Sequence, residues 1–148
     1  MGSINGVILT PLKIIEGASG NIWHALKHDE ESFAGFGEAY FSGVLKDAVK
    51  GWKKHSTMIL NIIVPVGAIE FVMFDGRTDS STHAQFQQVI ISQKNYQRLT
   101  VPPGVWMAFR GIDEHNMLLN IASIKHDPTE AENLPIDNDY INYKPFVK

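Results

Sequence analysis

Met58-Ile59-Leu60-Asn61-Ile62-Ile63-Val64-Pro65-Val66-Gly67-Ala68-Ile69-Glu70-Phe71-Val72-Met73-Phe74 is the longest apolar stretch of this 148-residue chain. Asn61, Pro65, Gly67 and Glu70 interrupt it, so it is too short and too broken to cross a bilayer as a helix. Pro65-Val66-Gly67 between two runs rich in β-branched and aromatic residues spells a strand, a tight turn and a second strand. Similar apolar runs recur on either side, giving expected strands at 6–15, 20–26, 38–44, 48–52, 58–66, 68–74, 86–91, 97–101, 105–109 and 117–124. Their lengths and composition suit strands better than helices. That many short strands in so short a chain point to an all-β sandwich or barrel.

Two segments read differently. Residues 28–36 carry Asp29, Glu30 and Glu31 where a first helical turn favours carboxylates, which predicts a short helix. Asp127-Pro128-Thr129-Glu130-Ala131-Glu132-Asn133 places a cap-like Asp before Pro and predicts a short helix or a turn. The stretch 134–148, rich in Pro, Asn, Asp and Tyr, is expected to lie as an irregular strap over the barrel. One domain over 1–148 is the expected organisation.

Composition removes several classes of function. Apolar residues at 44% and charged residues at 20% describe a globular rather than a disordered chain. A formal net charge of -3, with the two signs interspersed, argues against non-specific nucleic-acid binding, which needs a basic face. Cysteine is absent, so disulfides, thiolate nucleophiles and Cys-ligated metals are excluded. Met1-Gly2-Ser3-Ile4-Asn5 lacks the basic and apolar regions of a signal peptide, and the cytoplasm is the expected location.

Five motifs in order carry a family resemblance. Thr100-Val101-Pro102-Pro103-Gly104-Val105-Trp106-Met107-Ala108-Phe109 resembles the Val-Pro-Pro-Gly turn and strand of the dTDP-4-dehydrorhamnose 3,5-epimerase family. Ala48-Val49-Lys50-Gly51-Trp52-Lys53 is similar to that family's Val-Leu-Arg-Gly-Leu-His strand, and residues 64–75 to the strand pair that follows it. His126-Asp127-Pro128-Thr129-Glu130 and Asp137-Asn138-Asp139 stand where the family has an aromatic–Pro–acidic stretch and an acidic C-terminal motif. The resemblance runs over roughly residues 4–140 and implies a cupin-type jelly-roll barrel. It also implies a homodimer that exchanges N-terminal strands, with segment 4–26, and 6–12 within it, at the interface.

Fold alone does not fix chemistry. Many cupins hold a metal through a His-x-His strand and a later His, because alternate strand positions point the same way. Here those positions read Lys53-Lys54-His55 and Met107, and neither an ammonium nor a thioether suits a hard divalent ion. No metal and no other cofactor is expected, which disfavours a metal-dependent dioxygenase or isomerase.

Epimerisation beside a ketone needs a base, an enolate stabiliser and an acid. The resemblance places the family's base on Lys53, its Tyr acid on Asn120, its strand-borne Lys near Leu60 and its pocket Arg on Lys50. Lys53 flanked by Lys50 and Lys54 can act as a base only if its pKa is depressed, and Asn120 can hold an oxygen but not donate a proton as an acid. His55, two residues after Lys53, faces the same way in an extended strand. The related sugar 3,4-ketoisomerases carry Arg-Gly-x-His-x-His, and Lys50-Gly51-Trp52-Lys53-Lys54-His55 is similar to it with the second His kept. Their Tyr on the preceding strand corresponds to Tyr40, so His55 with Tyr40 or Glu38 forms a proton-transfer set.

Plainer roles stand beside these. Lys53 and Lys54 read also as surface charges, His55 as a hydrogen-bonded structural His, Asn120 as a satisfied buried amide, and Trp52 and Trp106 as core. His24, His28, His83 and His115 support no constellation by spacing. Ser19-Gly20-Asn21-Ile22-Trp23-His24 matches the family's nucleotide loop only in its Gly, leaving Trp23 as the candidate to stack on a base.

Catalytic candidates are therefore His55, Lys53 and Tyr40, and substrate-binding candidates Lys50, Asn120, Trp23 and Met107. The expected function is an epimerase or isomerase of a nucleoside diphosphate 4-keto-deoxysugar in surface-polysaccharide synthesis. The alternative is a cupin that binds a sugar nucleotide or glycan without turnover.

Overall fold

The computed structural model describes residues 2–148; Met1, where the span 1–148 and the leader reading begin, lies outside the described residues. Numbered in chain order, twelve strands form two five-stranded antiparallel sheets and a ribbon. The first sheet runs β1 (Ile8–Pro11), β9 (Gln97–Val101), β6 (Leu60–Val66), β11 (His115–Ala122), β4 (Glu38–Leu45). The second runs β12 (Ala131–Asn133), β5 (Val49–His55), β10 (Val105–Gly111), β7 (Ala68–Asp75), β8 (Phe86–Ser92). The ribbon pairs β2 (Ile14–Ile15) with β3 (Ile22–Trp23). The architecture is the all-β, cupin-type jelly roll.

The opening stretch folds as β6, a turn at Gly67 and β7. Gly67 has φ +77°, and a Cβ there would collide with the carbonyl oxygen of His115, so only glycine fits. Between the sheets Leu60, Ile62, Val64, Ile69, Phe71, Met73, Leu99 and Leu118 form the main core. A second cluster lies on the outer face of the second sheet, where Ile141, Tyr143 and Phe146 cover Trp52, Val72, Phe74 and Trp106. All eight residues of β7 are buried because both its faces are covered, which is why it reads as a continuous apolar run.

Residues 134–148 contain no strand, and a single 3-10 turn over Lys144–Phe146 is the one helical feature among the described residues. The helix expected at 28–36 is absent. That segment makes two successive turns, closed by Glu30 N–H to Lys27 O and Phe33 N–H to Glu30 O. Glu30 and Ser32 are taken up by the fully buried Arg98, whose Nη2 reaches them at 2.6 and 2.7 Å while Nη1 donates to Ala25 O. Tertiary pairing thus overrides the local helix signal. At 127–133 the turn forms, but Ala131–Asn133 adds a strand to the edge of β5 instead of a helical turn.

Candidate active site

The site is built on β5. Opposite β10, Lys53 pairs with Met107 and Lys50 with Phe109, so Gly51 and Trp52 together face the single residue Ala108. This is a β-bulge, and it changes the alternation. Lys50, three residues before Lys53, lines the same cavity as Lys53 and His55, while Trp52 turns out to the second cluster. Gly51 makes the bulge possible: its φ is +124°, and a Cβ would lie 2.7 Å from Ala108 Cα and from Met107 O.

The cavity, of about 270 Å³, opens between the two sheets. Tyr40 of β4 and Leu60 of β6 line it from one sheet. Lys50, Lys53 and His55 of β5, Met107 and Phe109 of β10 and Asn133 of β12 line it from the other. Lys54 faces the other way, paired with Glu132 at 3.0 Å and lying over the Trp106 ring.

His55 has a carboxylate partner, and it is Glu130 rather than Glu38. His55 Nδ1 bonds Glu130 Oε1. Oε2 accepts from the backbone N–H of Thr57 at 3.1 Å and of Met58 at 3.2 Å. Ser56 N–H and Oγ–H both donate to the Glu130 carbonyl, and β12 beginning at Ala131 pairs with His55. Burial pushes the Glu130 carboxyl up, but the hydrogen bonds from His55, Thr57 and Met58 outweigh it and leave the pKa below its ordinary value. With Glu130 ionised, Nδ1 carries the proton of this bond, and Nε2 is the ring nitrogen left for substrate.

Tyr40 and Asn120 are direct partners across the β4–β11 ladder, and Asn120 Nδ2 donates to the Tyr40 hydroxyl at 3.1 Å. Lys50 Nζ crosses between the sheets to Ser42 Oγ at 3.1 Å and Gly43 O at 2.7 Å. Lys53 makes no ion pair among the described residues. Its ammonium is the uncommitted cation of the cavity.

The structure therefore brings together Tyr40, Lys50, Lys53, His55 and Met107, with Asn120 behind Tyr40. Trp23 is not brought there: β3 pairs only with β2, and the indole packs edge-on against Tyr96 with centroids 5.3 Å apart. Glu130, Phe109 and Asn133 were not singled out from sequence. Glu130 lies in the quoted His126–Glu130 motif, so its acidity was visible but its partner was not.

Comparison with known proteins agrees with this architecture. The family model described as dTDP-4-dehydrorhamnose 3,5-epimerase matches residues 3–144. The chain is 38% identical to a dTDP sugar isomerase of known structure from Desulfovibrio desulfuricans, with a TM-score of 0.88, covering 97% of this chain and 88% of that one. It is 26% identical over 142 residues to a probable low-salt glycan biosynthesis epimerase of Haloferax volcanii, covering 93% of this chain and 91% of the relative. It is 23% identical over 143 residues to a spore coat polysaccharide biosynthesis protein of Bacillus subtilis, covering 95% of each. With a match spanning nearly its whole length, the chain belongs to the dTDP-4-dehydrorhamnose 3,5-epimerase family of sugar-nucleotide enzymes.

Proposed function

We propose that this protein moves a proton at the carbon beside the ketone of a nucleoside diphosphate 4-keto-deoxysugar, as an epimerase or a 3,4-ketoisomerase, in cytoplasmic surface-polysaccharide synthesis. The observation that carries the reading is His55, bonded to Glu130 and lining the same cavity as Lys53 and Tyr40. Nε2 of His55 takes the α-proton, with Glu130 fixing the tautomer and stabilising the imidazolium that forms. The Lys53 ammonium faces the enolate oxygen, and the Tyr40 hydroxyl returns a proton to carbon. The likeness to a dTDP sugar isomerase favours thymidine diphosphate as the carrier.

The test is incubation with dTDP-4-keto-6-deoxyglucose in deuterated water. Deuterium is expected at C3 or C5, and His55→Ala should lower its rate by roughly 10²–10⁴-fold, the usual contribution of a general base. Absence of exchange with this substrate and with its CDP and GDP analogues would sink the reading. A second reading, binding of a sugar nucleotide or glycan without turnover, draws on Lys53 and Asn120 standing at the family's base and Tyr acid positions. Saturable binding of the sugar nucleotide with no exchange would establish it instead.

A homodimer belongs to the same proposal. Segment 4–26 is its interface, with β1 at a sheet edge beside β9 within one chain, and Phe41, Leu45, Val66 and Met117 add an exposed apolar patch across β4, β11 and β6. Light scattering should give twice the chain mass, and Phe41→Glu with Met117→Glu should return it to one. A monomer at micromolar concentration rules the dimer out.

A further inference from the structure

We infer that Asn120 is a positioning residue for Tyr40, holding the phenol so that its proton is directed into the cavity; the inference rests on the proton-transfer reading above. Asn120 is almost wholly buried, between Leu118 and Ala122 on the interior face of β11, whereas Tyr40 is half exposed on the edge strand β4. A phenol on an edge strand has nothing else to fix it. Its only protein hydrogen bond among the described residues is the one from Asn120 Nδ2.

Asn120 makes no other side-chain bond among the described residues. Its Oδ1 is buried and has no partner. A structural buried amide normally satisfies both its ends, and an apolar residue of similar volume would remove the unpaired oxygen altogether. This amide serves Tyr40 alone. The direction of the bond matters as well. When Nδ2–H occupies a lone pair of the phenol oxygen, the O–H proton cannot point back at Asn120 and is left for the cavity. With the amide turned over, Tyr40 would donate to Oδ1 and its proton would be withheld from substrate. The direction with Nδ2 as donor is the one that suits an acid.

The pairing also accounts for a departure from the family pattern. Asn120 stands where the resemblance places the acid Tyr, and the residue directly across the ladder from it is Tyr40. The hydroxyl is supplied from the neighbouring strand, and the old position becomes its support.

The experiment is a double-mutant cycle read by deuterium exchange and by kcat and KM. Asn120→Leu and Asn120→Asp should each lower kcat about tenfold or more with KM within about threefold, since placement rather than binding is lost. Once its carboxyl is ionised at raised pH, Asn120→Asp presents only acceptors to the phenol, so there it should be no better than Leu. Tyr40→Phe should lower kcat at least as far, and adding Asn120→Leu to it should lower kcat no further. Asn120→Leu within twofold of wild type, or losses that multiply in the double variant, would overturn the inference. The side-chain amide signal of Asn120 in nuclear magnetic resonance gives a second readout independent of turnover. It should move in Tyr40→Phe, and an unmoved signal overturns the pairing. Wild-type protein inert towards every substrate removes the proposed function, and with it the proton-donor role; failure confined to the Asn120 variants removes this inference alone.

Discussion

At His55 one hydrogen bond decides which nitrogen can act. Glu130 engages Nδ1, so any proton taken from substrate must arrive at Nε2. Glu130→Gln retains an oxygen for Nδ1–H but loses the charge that stabilises the imidazolium. It should lower kcat/KM about 10–100-fold while leaving the thermal midpoint within a few degrees, as measured by steady-state kinetics and calorimetry. An unchanged kcat/KM would make His55 a structural residue. Half of this dyad was legible from sequence: period-two alternation puts His55 on the face of Lys53, and both line the cavity. Glu130, 75 residues downstream, was not, because no periodicity reports a contact made by an edge strand laid alongside from the far end of the chain.

Among the elements, β5 departs most from what alternation predicts. Strict period two would put Lys50 opposite Lys53; the bulge at Gly51 and Trp52 puts them together. Gly51→Ala should cost about 2–4 kcal/mol, from a positive φ and from a Cβ driven into Ala108 and Met107. Exchange activity should fall with stability, because the same shift misplaces Lys53. A variant as stable as wild type by urea unfolding would show that the strand can relax. Strands such as β6, β7 and β10 were legible because turn residues bound their apolar runs and both faces of β7 are covered. The segment 28–36 was misread because Glu30 pairs with Arg98 instead of serving a helix N-terminus. Local composition carries no mark of a partner on β9.

For the whole molecule, acid is the expected weakness. Asp75 is fully buried, and though burial pushes its carboxyl up, hydrogen bonds from Arg77, Ser80 and Thr82 hold it well below the usual carboxylate range. Glu130 is lowered too. Both groups bind protons less readily folded than unfolded, so the stability they contribute is present above the unfolded carboxylate range near pH ~4 and is lost as pH falls through their folded values. The thermal midpoint should therefore drop from pH ~5 to ~3, and Asp75→Asn should lower the midpoint at neutral pH while making that drop shallower. An equally steep drop in the variant would place the proton uptake elsewhere.

The ladder that positions the site has a kinetic side. Tyr40 meets Asn120 across 80 positions of chain and His55 meets Glu130 across 75, so the consecutive strands β4 and β5 carry Tyr40, Lys50, Lys53 and His55 but neither of the side chains that hold Tyr40 and His55. Closing such loops comes before the contacts that reward it, which places this barrel among the slower folders, on the order of milliseconds to seconds. A chain interrupted before Asn120 lacks the partners of both Tyr40 and His55, and activity should return on refolding as a single late phase together with the completed barrel.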